Sequence, residues 1–407
     1  MTASKKGRAW IELNLRHLAN NVAQMRALLG ETCAIMAVIK ADAYGHGEIL
    51  MAKNLQKLGI DAFAVATVEE GICLRKAGVS GEILVLGYVH PGDVYLLQQY
   101  DLTQTILELD YAKMLNAFGL KLKVHIKIDS GMHRLGIAAD DRAALSEVCR
   151  MENLMITGVY THLCASDSTQ AEDMAYTRNQ ITAFQSAADF LKKHCPNKIK
   201  LHVQSTYGAL NHPYLQCDYA RLGLSLYGVL CLPDEAVLSS VELQPVLSVK
   251  ARVAAVKNIT KSAPVGYGRA FTAPEDMRIA VLAIGYADGV PRNYGEGGGY
   301  VLIRGRRCPI IGRICMDMMM VDVQTVENVQ AGEIAVIIGS DGVEQIRTEE
   351  VAQKCGTISI EVLCHFGSRL DKVVAGGRIR PNIESGDKQK METGSYSSCS
   401  DTEYLIQ

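Results

Sequence analysis

From Cys33 to Gly223 the chain repeats one pattern: a short apolar block, a turn, then a longer stretch with apolar residues at helical spacing. Eight blocks stand out: Cys33–Lys40, Ala62–Ala66, Ile83–Gly87, Thr103–Ile106, Lys123–Asp129, Met155–Leu163, Lys200–Ser205 and Tyr219–Gly223. Short continuous apolar runs closed by turn residues read as buried strands. The stretches between them, such as Asp110–Phe118 and Asp173–His194, read as amphipathic helices. Strands alternating with helices in this way predict a parallel sheet closed into a TIM (β/α)8 barrel, an α/β fold. The fourth block gives the weakest signal, because Asp101–Ile106 is half polar. Ahead of the barrel, Trp10–Leu15 alternates and predicts a strand. Arg16–Leu29 then carries Leu18, Val22, Met25, Leu28 and Leu29 at helical spacing.

The rhythm changes after Pro233. Val246–Ile259, Met277–Ile284, Tyr300–Ile303, Arg307–Ile311, Met318–Val323 and Glu333–Ile338 are short, β-rich and separated by Gly, Pro and Asp turns. They predict a mainly antiparallel β domain. The reading divides the chain into an N-terminal strand (1–15), a barrel (16–240), a β domain (241–380) and a tail (381–407). Asn382–Glu403 lacks the apolar area to offset the entropy of ordering, so the tail is expected to be disordered.

Charge and composition narrow the class. A formal net charge of −2 leaves no basic footprint for nucleic acid and no polybasic patch for a membrane. Met1–Arg8 is polar and basic with no apolar signal-peptide core after it. Runs such as Ile279–Ile284 are too short to span a bilayer. A soluble, cytoplasmic protein is expected. The twelve cysteines are scattered singly, without CxxC pairs or Cys/His ligand spacing. Reduced, mostly buried thiols and no metal site are therefore expected.

Functional groups of a TIM barrel gather at the C-terminal ends of its strands. Lys40 ends the first block, Arg134 follows the fifth and His162 lies near the end of the sixth. Ser205 and Thr206 end the seventh; Arg221 and Gly223 end the eighth. A lysine at a strand mouth with apolar neighbours can act as nucleophile or base, although a lone one is more often an exposed loop residue. Ser205-Thr206 also fits a helix N-cap, Arg221 a rim arginine and His162 a core histidine.

The stretch Ala37-Val38-Ile39-Lys40-Ala41-Asp42-Ala43-Tyr44-Gly45-His46-Gly47 resembles the pyridoxal-phosphate signature of the alanine racemase family. Val265-Gly266-Tyr267-Gly268-Arg269, Ile284–Gly289 and Ile311–Asp317 also resemble racemase motifs. The resemblance covers residues 10 to about 375 and implies a fold-type III enzyme that uses pyridoxal 5'-phosphate. It implies that Lys40 carries the cofactor covalently. Tyr44, Ser205, Thr206 and the backbone at Gly223-Leu224 would hold the phosphate. Arg221 would donate to the pyridine nitrogen, where a second cation disfavours ring protonation and weakens the electron sink. His162 would pack by the ring. Arg134 would bond the cofactor phenolate and steady the substrate carboxylate, beside Lys127, which many members carry carbamylated. Tyr267 would reach into a partner subunit's site as second base, and the Met316 N–H would meet the substrate carboxylate. Tyr286, Arg292 and Arg313 would line the access corridor. A homodimer with shared sites follows, acting on small amino acids and supplying D-amino acid for peptidoglycan. The resemblance also supports pairing of the N-terminal strand with the β domain.

Two departures bear on substrate. Typical alanine racemases have tyrosine just before Glu361; here the position is Ile360. In Thr161–Ser168, Leu163-Cys164 and Ser166 replace the more usual Phe-Ala and Thr-Ala, closer to serine racemases associated with vancomycin resistance. Those usually carry a polar residue where Ile360 stands. Isoleucine is shorter than tyrosine and offers no hydroxyl, so the expectation is alanine as preferred substrate with appreciable serine turnover. The alternatives are a dedicated serine or broad-specificity racemase, a decarboxylase of the same cofactor fold, and a non-catalytic pyridoxal-phosphate-binding protein.

Overall fold

The computed structural model describes residues 6–195, 197–215, 217–233 and 237–375. Eight parallel strands form the first sheet: Ala34–Val38, Ala62–Val65, Glu82–Val85, Thr103–Ile106, Leu122–Asp129, Leu154–Tyr160, Lys200–His202 and Tyr219–Leu222. The first seven pair in chain order, and the eighth pairs with the first through Ala220↔Ile35 and Arg221↔Met36. Backbone bonds from Asp218 N to Leu201 O and from Arg221 N to Gln204 O, both 2.9 Å, draw the seventh and eighth strands together. The predicted TIM-like barrel is therefore present, with all eight predicted strands in place.

The weak fourth strand has a physical reason. Thr103, Gln104 and Thr105 are all buried, on alternating faces of their strand. Gln104 Nε2 donates to Gly87 O at 2.8 Å, and Thr105 Oγ1 donates to Val85 O at 2.8 Å. The donors of Gln104 and Thr105 are thus met by backbone carbonyls, although Gln104 Oε1 has no partner among the described residues, and a hydrophobicity pattern reads such buried polar side chains as surface.

A nine-stranded, mainly antiparallel sheet follows. The N-terminal strand Ala9–Asn14 lies inside it, antiparallel to Leu247–Ile259 and parallel to Asp371–Ala375. Trp10 and Ile11 are completely buried there. Among the elements with no expectation in the sequence are the strand Asp371–Ala375 and the helices Thr348–Cys355 and Ser359–Cys364. The second helix matters for the site, because it carries Ile360. The expected tail, 381–407, lies outside the described residues.

One expectation needs correcting. Cys149 and Cys195 form a disulfide, with Cα atoms 5.2 Å apart. Cys149 ends the helix Arg142–Cys149, and Cys195 follows the helix Ala171–His194. Packing of these two helices brings together cysteines that are 46 residues apart, a proximity no local spacing shows. The remaining described cysteines lie outside any disulfide. Among the described residues no helix is long and apolar enough to cross a membrane, and no group of three or more potential metal ligands occurs.

Candidate active site

The strand Ala34–Val38 ends two residues before Lys40, and the backbone then does something unusual. Four consecutive residues, Ala41 to Tyr44, have φ between 52° and 54°. For residues with a Cβ this left-handed conformation costs roughly 1–2 kcal/mol each. Such strain persists where surrounding bonds over-determine it, and it clusters at functional sites. Here Glu70 Oε1 accepts from Ala41 N at 2.7 Å, and its Oε2 accepts from Ala66 N at 2.6 Å. Asp42 O accepts from Gly47 N at 2.8 Å, and Lys372 Nζ reaches Asp42 Oδ2 at 2.7 Å. Gly45, at φ +80°, allows a close approach: a Cβ there would lie 2.4 Å from Leu363 O on the helix bearing Ile360. The turn is thus clamped between barrel and β domain. The sequence showed a polar, glycine-containing turn; its handedness and the clamp from Glu70 came only from the structure.

Lys40 opens onto a cavity of about 480 Å³ at the C-terminal ends of the barrel strands. Tyr44, Arg134, His162, Ser205, Thr206, Arg221, Gly223, Leu224 and Ile360 line the same cavity. Every barrel residue singled out in the sequence therefore meets the others, together with Lys127. Tyr160, Cys164 and Asp167 line it too and were not predicted as site residues.

Arg221 is buried and heavily bonded. Its Nη2 donates to Thr161 O at 2.6 Å and Val203 O at 3.1 Å, and its Nη1 donates to His202 O at 2.9 Å. That leaves Nε without a partner among the described residues. Burial lowers the guanidinium to about 10, still a cation at neutral pH. His162 Nδ1 lies 3.4 Å from Arg221 Nη2 and must be the acceptor, since arginine only donates. Burial, then the charges of Arg221 and Arg134, hold His162 down to about 3, so the ring is neutral. Burial and the same two arginines bring Lys127 down to about 8.

The opposite wall is built for an anion without bulk. Ser205 stands at the N-cap position of Thr206–Asn211, yet its side chain makes no capping bond. Its hydroxyl remains available. A Cβ on Gly223 would lie 2.8 Å from Tyr44 Oη. Glycine at 223 therefore keeps a hollow open beside that hydroxyl. Burial pushes the Tyr44 phenol up, so it stays protonated as a donor.

The β-domain residues behave differently. Tyr267 is 70% exposed and lines no part of this cavity. Met316 is 53% exposed, Met318 48% and Tyr286 39%. Backbone bonds tie their segments together: Tyr286 N donates to Cys315 O and Ala287 N to Met316 O, each at 3.0 Å. Tyr286 and Arg292 line a separate cavity of about 390 Å³.

Comparison with known proteins bears on this arrangement. The family model described as "Alanine racemase, N-terminal domain" matches residues 13–231, and "Alanine racemase, C-terminal domain" matches residues 246–374. The chain belongs to the alanine racemase family. It is 39% identical over 374 residues to an alanine racemase of Nostoc sp., covering 90% of this chain and 95% of that protein. It is 41% identical over 364 residues to an amino-acid racemase of Enterococcus faecalis, covering 89% of this chain but only 51% of that longer protein. The solved alanine racemase of Clostridium difficile superposes with a TM-score of 0.86 at 32% identity, covering 92% of this chain and 98% of the other.

The family consists of isomerases that depend on pyridoxal 5'-phosphate. The residues present fit that group. The hollow at Gly223, the unbonded Ser205 hydroxyl and the Tyr44 donor suit a phosphate. Arg221 Nε suits an unprotonated ring nitrogen, and Lys40 suits a carbonyl carbon.

Proposed function

We propose that this chain is a pyridoxal-phosphate-dependent alanine racemase that also turns over serine, working as a dimer with shared sites. The observation that carries this reading is the split of the site. Lys40 and the cofactor-facing groups meet in one cavity, while Tyr267 stands exposed outside it on the same chain. An exposed cluster of Tyr267, Met316, Met318 and Tyr286 is the kind of apolar surface that marks a protein interface. A second copy would cover it and bring Tyr267 to the cavity of its partner.

When bound, pyridoxal phosphate supplies an electron sink that makes the Cα proton of an attached amino acid acidic. The chain's own residues then divide the work. Lys40 holds the cofactor and serves the proton on the D face. Tyr267 of the second copy serves the L face. Arg134 and the Met316 N–H orient the substrate carboxylate, and Tyr286, Arg292 and Arg313 line its approach. Tyr44, Ser205, Thr206 and the Leu224 N–H hold the phosphate, and His162 packs by the ring. The partly free Lys127 amine at neutral pH is the form that takes up carbon dioxide, so a carbamate there would pair with Arg134. We place the barrel at 16–240 and the β domain at 241–380, with strand 1–15 in the second. The physiological role that follows is cytoplasmic supply of D-alanine for peptidoglycan. It is tested by growth of a D-alanine-requiring bacterium carrying this gene; continued dependence on D-alanine would remove it.

Gly223→Ala tests the phosphate hollow. The added methyl meets Tyr44 Oη, so binding of pyridoxal phosphate should weaken about tenfold or more while the barrel stays folded. Unchanged affinity on titration would put the phosphate elsewhere.

Ile360 lines the cavity, as do Cys164 and Ser166. This favours a second reading, a dedicated serine racemase. Isoleucine gives a serine hydroxyl no hydrogen bond, so alanine is the preferred substrate here. Ile360→Tyr should narrow the cavity and shift kcat/KM further toward alanine. A parent that prefers serine reverses the assignment, and an unchanged alanine-to-serine ratio removes Ile360 from it.

A further inference from the structure

The barrel interior holds a run of polar groups that none of the proposed catalytic roles uses. His125, on the strand Leu122–Asp129, and His202, ending Lys200–His202, are completely buried. Buried polar groups destabilise unless they are hydrogen-bonded. His202 Nδ1 lies 3.1 Å from Arg221 Nη1, and His202 Nε2 lies 2.9 Å from His125 Nδ1. His125 Nε2 sits 2.8 Å from Glu82 Oε1. Glu82, Lys200 and Tyr219 are the first residues of their strands. Tyr219 Oη donates to Glu82 Oε2 at 2.9 Å, and Lys200 Nζ approaches the same oxygen at 3.5 Å. The run therefore crosses the barrel from the cavity to its opposite rim.

Its direction is set by chemistry. A guanidinium has donors only, so Arg221 Nη1 donates and His202 Nδ1 accepts. His202 must then carry its proton on Nε2 and donate it to His125 Nδ1. His125 in turn carries its proton on Nε2, facing Glu82. Each link runs donor to acceptor toward a carboxylate. The last link brings that N–H to 2.8 Å from the carboxylate without good hydrogen-bond alignment.

Electrostatics agree. Burial, and then the charges nearby, keep His202 well below its usual range and neutral. Burial alone would raise Glu82, but His125, the Tyr219 hydroxyl and the Lys200 charge outweigh it and hold the carboxyl at about 2. The fold also makes room for the run. A Cβ on Gly158 would lie 2.5–2.6 Å from the His125 ring. The pairing register with the next strand shifts between Val124 and His125.

Arg221 needs such support. Its neighbours are backbone carbonyls and histidines, and the groups acting on its charge are Tyr160 and Cys217, with no carboxylate among them. A buried cation without an anion is costly. We propose that Glu82, acting through His125 and His202, is a positioning residue that orients Arg221 so that Nε faces the ring nitrogen of bound cofactor. This rests on the reading of the cavity as the pyridoxal-phosphate site.

Glu82→Gln keeps the shape and an acceptor while removing the charge. On serial dilution of the holoenzyme, the apparent Kd for pyridoxal phosphate, read from visible absorbance, should rise about tenfold. The thermal midpoint should move little. Gly158→Ala, which displaces His125, should reproduce the loss. In an Arg221→Lys background, itself weaker for the cofactor, Glu82→Gln should add nothing. No loss in the parent background, or equal losses in both, overturns the proposal. A variant-free measurement stands behind these. Nitrogen NMR of the histidine-labelled parent should show His125 and His202 neutral with protons on Nε2. A protonated His202, or one with its proton on Nδ1, also overturns it. If the parent does not bind pyridoxal phosphate at Lys40, the cofactor reading fails, and the tautomers still decide whether the chain from Arg221 to Glu82 exists.

Discussion

Replacing Lys40 with alanine is expected to end racemisation and the covalent hold on the cofactor together. The loss should exceed about 10³-fold, because the variant lacks both the attachment point and one acid–base group. The informative comparison is with Lys127, a second lysine lining the same cavity. Burial and two arginines make the Lys127 amine partly free near neutral pH, so it is the natural rival for the cofactor carbonyl. Position favours Lys40. It sits at the mouth of the first barrel strand, and the strained turn behind it is clamped by Glu70, Asp42 and Lys372. Borohydride treatment of the parent followed by peptide mapping should place the label on the Lys40 peptide. A label on the Lys127 peptide would sink the assignment.

Tyr267→Phe is the second large effect. Removing a general acid–base group typically costs about 10²–10⁴-fold, and here the step that removes the L-face proton should suffer most. Phenylalanine keeps the ring and its packing, so folding and cofactor binding should survive. Because Tyr267 lies outside its own chain's cavity, Lys40→Ala and Tyr267→Phe chains should complement each other when mixed. A mixed dimer has one site with both Lys40 and Tyr267 intact. Verified mixed dimers with no recovered activity would refute the shared site, and a solely monomeric protein by sedimentation would do so independently.

Local chemistry in the chain was enough for the barrel. Most of the eight strands announce themselves because they are short, apolar and closed by turn residues, and a parallel strand buried on both faces needs no alternation; the half-polar Thr103–Ile106 shows only weakly. The barrel half of the site follows from the same logic, since strand ends converge once the ring closes. Lys40, Arg134, His162, Ser205, Thr206, Arg221 and Gly223 could be placed together before any coordinates. The twist of the Ala41–Tyr44 turn could not, because left-handed φ angles at alanine and aspartate are imposed by partners such as Glu70 and Lys372, distant in sequence.

The same reason accounts for the rest. Ser359–Cys364 is too short to show a helical period, so the mount of Ile360 stayed hidden until the fold placed it against Gly45. Cys149 and Cys195 carry no spacing signal, because helix packing joins them. His125, His202 and Glu82 read as unrelated polar residues on three strands. Only closure of the barrel lines them up behind Arg221. Sequence determined what the barrel segments become and which groups arrive at the barrel mouth, since those depend on neighbours along the chain. Tertiary structure decided which buried charges meet and which strained turn holds, since those depend on groups brought together only when the ring closes.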